Sequence, residues 1–280
     1  RLDKTAEIFL GDAVPDNYGY LEGTWLFKTR EQLSMDYSGL IYLDCSDTGR
    51  VHEDVMSLAG SFNLPTINID HHASNNLFAD YNYVDPGAAA TGEIIWHILD
   101  IMDVPMGKDI AEALYAALLM DTGGFLNGNT TSRVLTVAAE LLKWGVDVNQ
   151  ARINLFESKS LTEMMLIKEA LQSLGFSPDG RIGWIELTYA RLAQINALDV
   201  HPEGLVNYAR MVRGVEVGVL LREISPGLVK VGLRSRGGLD VAELAQTWGG
   251  GGHRQAAGAT ISGSLDAVKD AVINKIREVM

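Results

Sequence analysis

Three places in the sequence carry side chains that could together bind a divalent cation. Each follows an apolar run, and the residues are Asp44, the triplet Asp70-His71-His72, and Asp121. In open α/β sheets, ligands bind beyond the carboxyl ends of the strands, where such residues would meet. Carboxylate and imidazole groups suit Mn²⁺, Mg²⁺ or Zn²⁺. The spacing therefore predicts a metal site, with Asp121 reaching it from a helix end beside the flexible turn Gly123-Gly124.

Each of these signals is weak when taken alone. An aspartate after a strand is more often a turn or helix cap, and adjacent histidines are common on surfaces. The charge distribution is uneven, which on composition alone is better explained by two solvated surfaces of differing charge; the coincidence of three such features on one acidic half favours the metal interpretation. Residues 1–174 hold 11 Lys or Arg against 25 Asp or Glu, whereas residues 175–280 hold 12 against 11. The three features thus lie in the acidic part of the chain, and the near-neutral part could receive an anion.

A second candidate site is the run of four glycines, Gly249–Gly252, before His253. Its backbone N–H groups could hold a phosphate, and Arg234, Arg236 and Arg254 lie nearby in sequence. We expect residues 255–258 to form a helix start against which a ligand lies. The alternative is a flexible surface loop with scattered arginines. The chain lacks a Gly-Lys-Ser/Thr phosphate loop, a dinucleotide fingerprint and a nucleophile elbow, which argues against nucleoside triphosphatases, dehydrogenases and serine hydrolases.

The elements that position these residues alternate between strand and helix in the first half, which predicts an α/β fold with a parallel sheet and flanking helices. Expected strands there are Thr5–Leu10, Leu40–Leu43, as a buried strand, and Thr66–Ile69; expected helices are 51–62, Thr91–Met102, Lys108–Met120 and Ser132–Trp144. The second half predicts a smaller mixed α/β domain. Its expected strands are Ile182–Leu187, Val215–Arg222 and Leu228–Arg234, and its expected helices are Glu203–Arg213 and Val241–Trp248. We expect domains at 1–150 and 175–280, joined by a helical segment at 151–174.

Composition limits the function classes. The 280 residues are 47% hydrophobic and 21% charged, which predicts a folded chain. The net charge of −13 argues against gripping long duplex nucleic acid. No apolar run reaches the roughly 18 residues of a membrane span, so we expect no membrane partner. The single cysteine, Cys45, fits a reducing compartment, and we expect a cytoplasmic protein.

The motifs together resemble those of the DHH phosphoesterases. Asp70-His71-His72 with Asn75 resembles the signature that names the family. Leu43–Arg50 resembles the family's second motif, and Asp121–Phe125 followed by Asn129–Thr131 resembles its fourth. The Gly249–Gly252 cluster with His253, Ala256–Gly258 and Arg234-Ser235-Arg236 resembles the DHH-associated substrate domain. The order fits across nearly the whole chain. Within the family, this chain looks most like the two-domain group of nanoRNases and 3′-phosphoadenosine-5′-phosphate phosphatases, the NrnA type.

The resemblance implies a two-metal site that holds Mn²⁺, with Mg²⁺ or Co²⁺ as alternatives. Asp44 would bridge both ions, and His71 and Asp121 would complete the ligands of one ion. The family's first motif, His-x-x-Pro-Asp-x-Asp, would supply a histidine and two aspartates, and it is absent from this sequence. We expect the 1–150 domain to be incomplete at its N-terminus; the alternative is an inactive relative that binds nucleotides.

The resemblance also implies roles for the other site residues. His72 would contact the scissile phosphate or protonate the leaving oxygen, Asp70 would orient the histidines, and Asn75 would assist in positioning. The residues expected to hold the substrate are Arg234, Arg236, Gly250, Gly251, Gly252 and His253.

The expected substrates are short single-stranded RNA oligonucleotides, cleaved to 5′-mononucleotides, and 3′-phosphoadenosine 5′-phosphate, converted to AMP. An alternative is hydrolysis of cyclic or linear dinucleotide second messengers such as cyclic di-AMP. Hydrolysis of polyphosphate or pyrophosphate ranks lower, because the small residues beside the glycines leave room for a nucleoside. A homodimer is expected from the family alone.

Overall fold

The computed structural model describes residues 4–34, 37–51, 55–57, 64–200 and 204–280. The chain divides into two compact units, Arg1–Ser158 and Lys159–Met280. Of the helix expected at 51–62, residues 55–57 are helical, and most of its remaining positions lie outside the described residues. Glu203, the expected start of another helix, also lies outside them. In the described part of the chain, no helix combines the length and apolar character needed to cross a bilayer.

The first unit contains two small parallel sheets. Strands β1 (Ile8–Phe9) and β2 (Phe27–Lys28) form one, and β1 is shorter than the strand expected from Thr5 to Leu10. Strands β3 (Leu40–Leu43), β4 (Thr66–Asp70) and β5 (Tyr81–Val84) form the other, in that order. The carboxyl ends of β3 and β4 therefore lie side by side, immediately before Asp44 and His71.

The expectation that β3 is buried on both faces is wrong. Tyr42 is buried, whereas Ile41 and Leu43 are 62% and 52% exposed. Successive side chains of a strand point to opposite faces, and only one face of this sheet is buried. That face is partly polar, because Asn68 lies opposite Tyr42 in the register and is fully buried. A buried polar side chain such as that of Asn68 needs hydrogen-bond partners, and these partners lie at the candidate site.

Helices follow the sheet in the first unit. They are α1 (Thr91–Ile101), α2 (Lys108–Asp121), α3 (Ser132–Leu142) and α4 (Val148–Arg152), the last continuing into a π-helical turn at Ile153–Glu157. Apolar side chains at helical spacing build the core between α2 and α3, for example Leu118, Val134 and Leu141, all fully buried. This packing fixes the end of α2, where Asp121 is the last helical residue.

The second unit is built on a six-stranded mixed sheet. Its strands are β6 (Gly175–Phe176), β7 (Ile182–Leu187), β8 (Val217–Ser225), β9 (Leu228–Ser235), β10 (Gly251–His253) and β11 (Ala256–Ser262). The spatial order is β10-β11-β9-β8-β7-β6, and β7 and β8 form the parallel pair. Its helices are α5 (Leu161–Gln172), α6 (Tyr189–Gln194), α7 (Leu205–Met211), α8 (Val241–Gln246) and α9 (Leu265–Val279).

The alternation of side chains along β8 gives this sheet a separate core on each face. Val217, Val219 and Leu221 pack in the cluster that includes residues of α8 and α9. Leu220 points the other way and packs in the cluster that includes residues of α5, α6 and α7. The mixed α/β class predicted for this part of the chain is confirmed.

The helix start expected after Gly252 is wrong, because β10 and β11 form an antiparallel hairpin there. The structure explains why two of these positions are occupied by glycine. A Cβ on Gly250 would collide with the carbonyl oxygen of Gly258, and one on Gly252 would collide with that of Ala256. Gly252 also has φ of 144°, which other residues rarely adopt. The glycine run therefore allows the two strand backbones to approach closely.

Candidate active site

Asp44 lies directly after β3 in a strained backbone conformation. Its φ is 61°, in the left-handed region that few non-glycine residues adopt. Its amide N–H donates to the carbonyl of Ile69 at 3.0 Å, and its Oδ1 accepts a hydrogen bond from the Thr91 hydroxyl at 2.7 Å. Thr91 begins α1, so this helix and the neighbouring strand together hold the carboxylate in place. Strained residues of this kind cluster at functional sites.

The ring of His71 is oriented by a backbone carbonyl. Its Nδ1 lies 3.2 Å from the carbonyl oxygen of Ala88. Because a carbonyl can only accept, Nδ1 carries a proton, and in the neutral ring the lone pair is therefore on Nε2. That Nε2 lies 3.5 Å from Asp44 Oδ1 and 3.7 Å from Asp121 Oδ2. The lone pair of His71 therefore faces two carboxylates, as it does in many metal sites.

Asp121 brings the second carboxylate from the end of α2. Burial raises the pKa of its carboxyl, and the negative charge of Asp44 raises it further, while His71 and His72 partly oppose the rise. Two carboxylates that face each other disfavour their own ionised forms. A cation between them would remove this repulsion.

His72 is held by a network centred on Asp70. The Asp70 carboxylate is completely buried and lies 2.7 Å from His72 Nδ1, and it accepts hydrogen bonds from the His71 amide at 2.8 Å and Asn75 Nδ2 at 2.6 Å. Burial alone would raise the pKa of Asp70, but the bonds from Asn75 and His72 outweigh burial and lower it. Because Nδ1 of His72 is committed to Asp70, its Nε2 is available to an incoming group.

A network that the sequence did not reveal supports the loop before α1. Arg133 on α3 bonds to Glu93, a fully buried carboxylate, and to Asp85 at 2.7 Å. Glu93 in turn accepts the amide N–H of Ala89 at 2.8 Å. The loop fixed in this way presents the Ala88 carbonyl to His71.

Asn129 ties the same loop to Asp121. Its Nδ2 donates to the carbonyl oxygens of Ala89 at 3.0 Å and Asp121 at 3.1 Å. The sequence signal for this network was limited to Thr91-Gly92-Glu93 at a predicted helix start and to Asn129 within a motif. Their partners lie about 40 residues away, beyond the reach of local patterns.

The donor set fits a divalent cation. Ligand atoms of Asp44, His71 and His72 all lie within 4.8 Å of one another. Ligands about 2.0–2.2 Å from an ion lie about 3–3.6 Å apart at octahedral or tetrahedral angles. The 3.5 and 3.7 Å separations around His71 Nε2 are close to this range and too long for hydrogen bonds. Asp44 and His71 belong to that group, and Asp121 Oδ2 faces the same His71 Nε2, whereas Nδ1 of His72 is bonded to Asp70. Asp44, His71 and Asp121 could therefore hold one ion.

The residues expected to bind substrate lie together in the second unit. Arg234 is half-buried on β9, and in the register it is opposite Ala256, which is opposite His253. Arg236 is exposed, and its guanidinium donates to the backbone carbonyl of Arg210 at 2.8 Å. The glycines form the hairpin described above, and Gly251 has open space where a Cβ would be.

Comparisons with known proteins agree with this architecture. A family model described as the DHH family, N-terminal domain, matches residues 6–118, and a DHHA1 domain model matches residues 187–280. The chain therefore belongs to the DHH family and combines a DHH domain with a DHHA1 domain. Within this family it is of the NrnA type, as two relatives show.

The bifunctional oligoribonuclease and PAP phosphatase NrnA of Thermus thermophilus is 37% identical over 213 residues, which are 76% of this chain and 64% of the relative. The chain thus matches slightly less than two thirds of that relative's length. The probable bifunctional oligoribonuclease and PAP phosphatase NrnA of Streptococcus mutans is 31% identical over 245 residues, covering 86% of this chain and 77% of the relative.

Among solved structures, an exopolyphosphatase-related protein of Bacteroides fragilis superposes with a TM-score of 0.88 at 23% identity. The match covers 99% of this chain and 85% of that one. At this level of identity the likeness establishes the fold. The predicted fold class, a parallel-sheet first domain followed by a smaller mixed domain, is confirmed.

Proposed function

We propose that this chain belongs to a divalent-metal-dependent phosphoesterase that hydrolyses short RNA oligonucleotides to 5′-mononucleotides and converts 3′-phosphoadenosine 5′-phosphate to AMP. The two NrnA-type relatives carry these two activities in their names. In this proposal residues 1–150 hold the metal chemistry, residues 175–280 bind the substrate, and residues 151–174 link them.

The observation that supports the proposal most is the arrangement around His71. Its Nε2 lone pair faces Asp44 and Asp121, while the adjacent His72 keeps its own Nε2 uncommitted among the described residues. A site with carboxylate and imidazole ligands beside a second, free imidazole suits hydrolysis of a phosphate ester. In this proposal Asp44, His71 and Asp121 are the metal ligands in this chain.

A divalent cation bound there would lower the pKa of water and stabilise the phosphoryl oxygens. His72 would donate a proton from Nε2 to the departing 3′ oxygen as the bond between phosphorus and that oxygen breaks. Asp70 would stabilise the protonated form of His72 through the 2.7 Å contact, and Asn75 would keep Asp70 ionised through its own hydrogen bond. One water molecule is consumed for each bond cleaved.

The test is turnover of 5′-phosphorylated diadenylate by the full-length gene product. With Mn²⁺ we expect two AMP for each dinucleotide, and a rate at least 10³-fold lower for Asp44→Asn. Asp100→Asn, which changes an exposed carboxylate on α1, is the matched control and should retain the wild-type rate. Absence of turnover in the wild type would contradict the proposal.

The same assay separates the remaining possibilities. Faster cleavage of cyclic di-AMP than of linear diadenylate would replace the proposed substrate with a cyclic dinucleotide. Comparison of Mn²⁺, Mg²⁺ and Co²⁺ identifies the preferred metal, which we propose is Mn²⁺.

We also propose a cytoplasmic homodimer, because the family resemblance implies a dimer and the single cysteine suits a reducing compartment. Sedimentation analysis measures the oligomeric state.

A further inference from the structure

Helix α7 approaches the sheet of the second unit very closely at Gly218. A Cβ on this glycine would lie 3.0 Å from the carbonyl oxygen of Val206 and 3.1 Å from the Cβ of Arg210. Gly218 is also the register partner of Arg234 on β9. Register partners project to the same face of a sheet, so Arg210 and Arg234 lie on one face, beside each other.

Among the described residues, no carboxylate forms an ion pair with Arg210 or Arg234. The Arg234 side chain donates a hydrogen bond to the carbonyl of Leu233 at 3.0 Å. Burial lowers the pKa of the Arg234 guanidinium, and the positive charge of Arg210 lowers it further. Two neighbouring guanidinium groups repel each other, and an anion between them relieves the repulsion.

Arg236 explains how Arg210 is held in position. Its Nε and Nη2 donate to the backbone carbonyl of Arg210 at 3.2 and 2.8 Å, and its own amide N–H donates to the carbonyl of Glu216. The last carbonyls of a helix have no partner within the helix. Arg236 therefore supplies one at the end of α7 and ties that end to the strand bearing Arg234.

One row of the sheet next to these arginines consists of glycine on three neighbouring strands. Gly232, Gly258 and Gly251 are register partners in one row across β9, β11 and β10. The adjacent row contains Arg234, Ala256 and His253. A planar group could lie against this surface while its phosphate reaches the arginines.

We propose that Arg210 is a further substrate-binding residue, whose guanidinium contacts the same nucleotide phosphate as that of Arg234, and that Arg236 is a positioning residue that holds Arg210 in place. This inference rests on the proposed function for the identity of the ligand. The ligand class is a nucleoside monophosphate or the phosphorylated end of a short oligonucleotide. The two guanidinium groups contact the phosphate oxygens, with the bidentate geometry that arginine favours.

The test measures binding of AMP and of adenosine to the full chain by calorimetry in EDTA, where no metal contributes. We expect Arg210→Gln to weaken AMP binding at least tenfold and to leave the weaker affinity for adenosine within twofold of wild type. Arg213→Gln, which removes an exposed arginine two residues after α7, is the matched control and should bind AMP as the wild type does. Arg210→Lys keeps the positive charge but loses the bidentate hydrogen-bonding geometry of the guanidinium, so we expect an intermediate loss of AMP affinity.

Equal AMP affinities for Arg210→Gln and Arg213→Gln would overturn the inference, and so would absence of AMP binding by the wild type. If Arg210→Gln fails to fold, judged by circular dichroism, the Arg210→Lys variant decides by the same comparison. Failure of the two proposals is distinguishable. If AMP binding depends on Arg210 but diadenylate is not turned over, this inference is supported and the proposed function is contradicted. If diadenylate is turned over but AMP binding does not depend on Arg210, the proposed function is supported and this inference is contradicted.

Discussion

Asp44 combines a strained backbone with the carboxylate that we propose as a metal ligand. Its φ of 61° is a conformation that asparagine adopts more readily than most residues, so Asp44→Asn changes the charge and leaves the backbone intact. The Thr91 hydroxyl can still donate to the amide oxygen. Any loss of metal binding in this variant therefore reports on the carboxylate itself.

We expect Asp44→Asn to weaken Mn²⁺ binding by this chain at least tenfold, because an amide oxygen is a poorer ligand than a carboxylate and leaves Asp121 as the main negative group facing His71. Electron paramagnetic resonance of free Mn²⁺ measures the affinity. Asp100→Asn should leave it unchanged. Equal affinities for the two variants would show that Asp44 is not a ligand.

At the scale of elements, α3 contributes to the candidate metal site without touching it. Arg133 on α3 bonds to buried Glu93, which holds the loop whose Ala88 carbonyl orients His71. Arg133→Met keeps the length of the side chain and leaves Glu93 without a cationic partner. We expect a loss of stability of about 2–4 kcal/mol, because the carboxylate stays buried.

The same variant should weaken Mn²⁺ binding about tenfold, the lower end of the range for groups that orient metal ligands. Arg152→Met, which removes an exposed arginine paired with Glu157, should affect neither quantity. Denaturation in urea and Mn²⁺ titration measure the two effects. A stability loss with unchanged Mn²⁺ affinity would show that the network is structural alone.

In the second unit, Glu169 on α5 and Arg191 on α6 join two helices through hydrogen bonds of 2.6 and 2.8 Å. The bond from Arg191 lowers the pKa of Glu169. A carboxyl with a lowered pKa in the folded state adds stability that is present above its unfolded pKa, near 4.3, and is lost as the pH falls through the folded value.

We therefore expect Glu169→Gln to reduce the free energy of unfolding by about 0.5–1 kcal/mol at pH 7, a modest effect because Arg191 is partly exposed. The difference from wild type should shrink when the pH is lowered from 7 to 3. Glu278→Gln, in an exposed pair with Lys275, serves as the control and should show a smaller effect at both values. A difference that does not change with pH would rule out the ion pair as its source.

At the scale of the whole molecule, the division between the two units falls at Ser158 and Lys159. Both residues are exposed and lie between the π-helical turn and α5. We propose that the segment 151–174 links the two units and that its cleavable part is the exposed stretch between the π-helical turn and α5. Limited trypsin digestion should then cut after Lys159 and leave a resistant fragment that begins at Ser160, identified by mass spectrometry. Rapid degradation of the second unit alongside the first would contradict this proposal.

Much of the fold could be predicted, because its signals are local. The bounds of β3 and β7 agree with the predicted strands, and the helices starting at Thr91, Lys108 and Ser132 begin where predicted. The hairpin of β10 and β11 was missed, because a glycine run gives no strand signal of its own. Its conformation depends on a partner strand that the glycines approach.

The sequence by itself determined the α/β class, the family and the residue types that could bind a metal, because motif spacing and hydrophobic periodicity depend on neighbours along the chain. The tertiary structure decided which atoms of those residues meet. The proton on His71 is placed by Ala88, 17 residues away, the Asp44 carboxylate by Thr91, 47 residues away, and Arg210 is brought beside Arg234 by the docking of α7 on Gly218. Such contacts depend on strand register and helix packing, which no local pattern specifies.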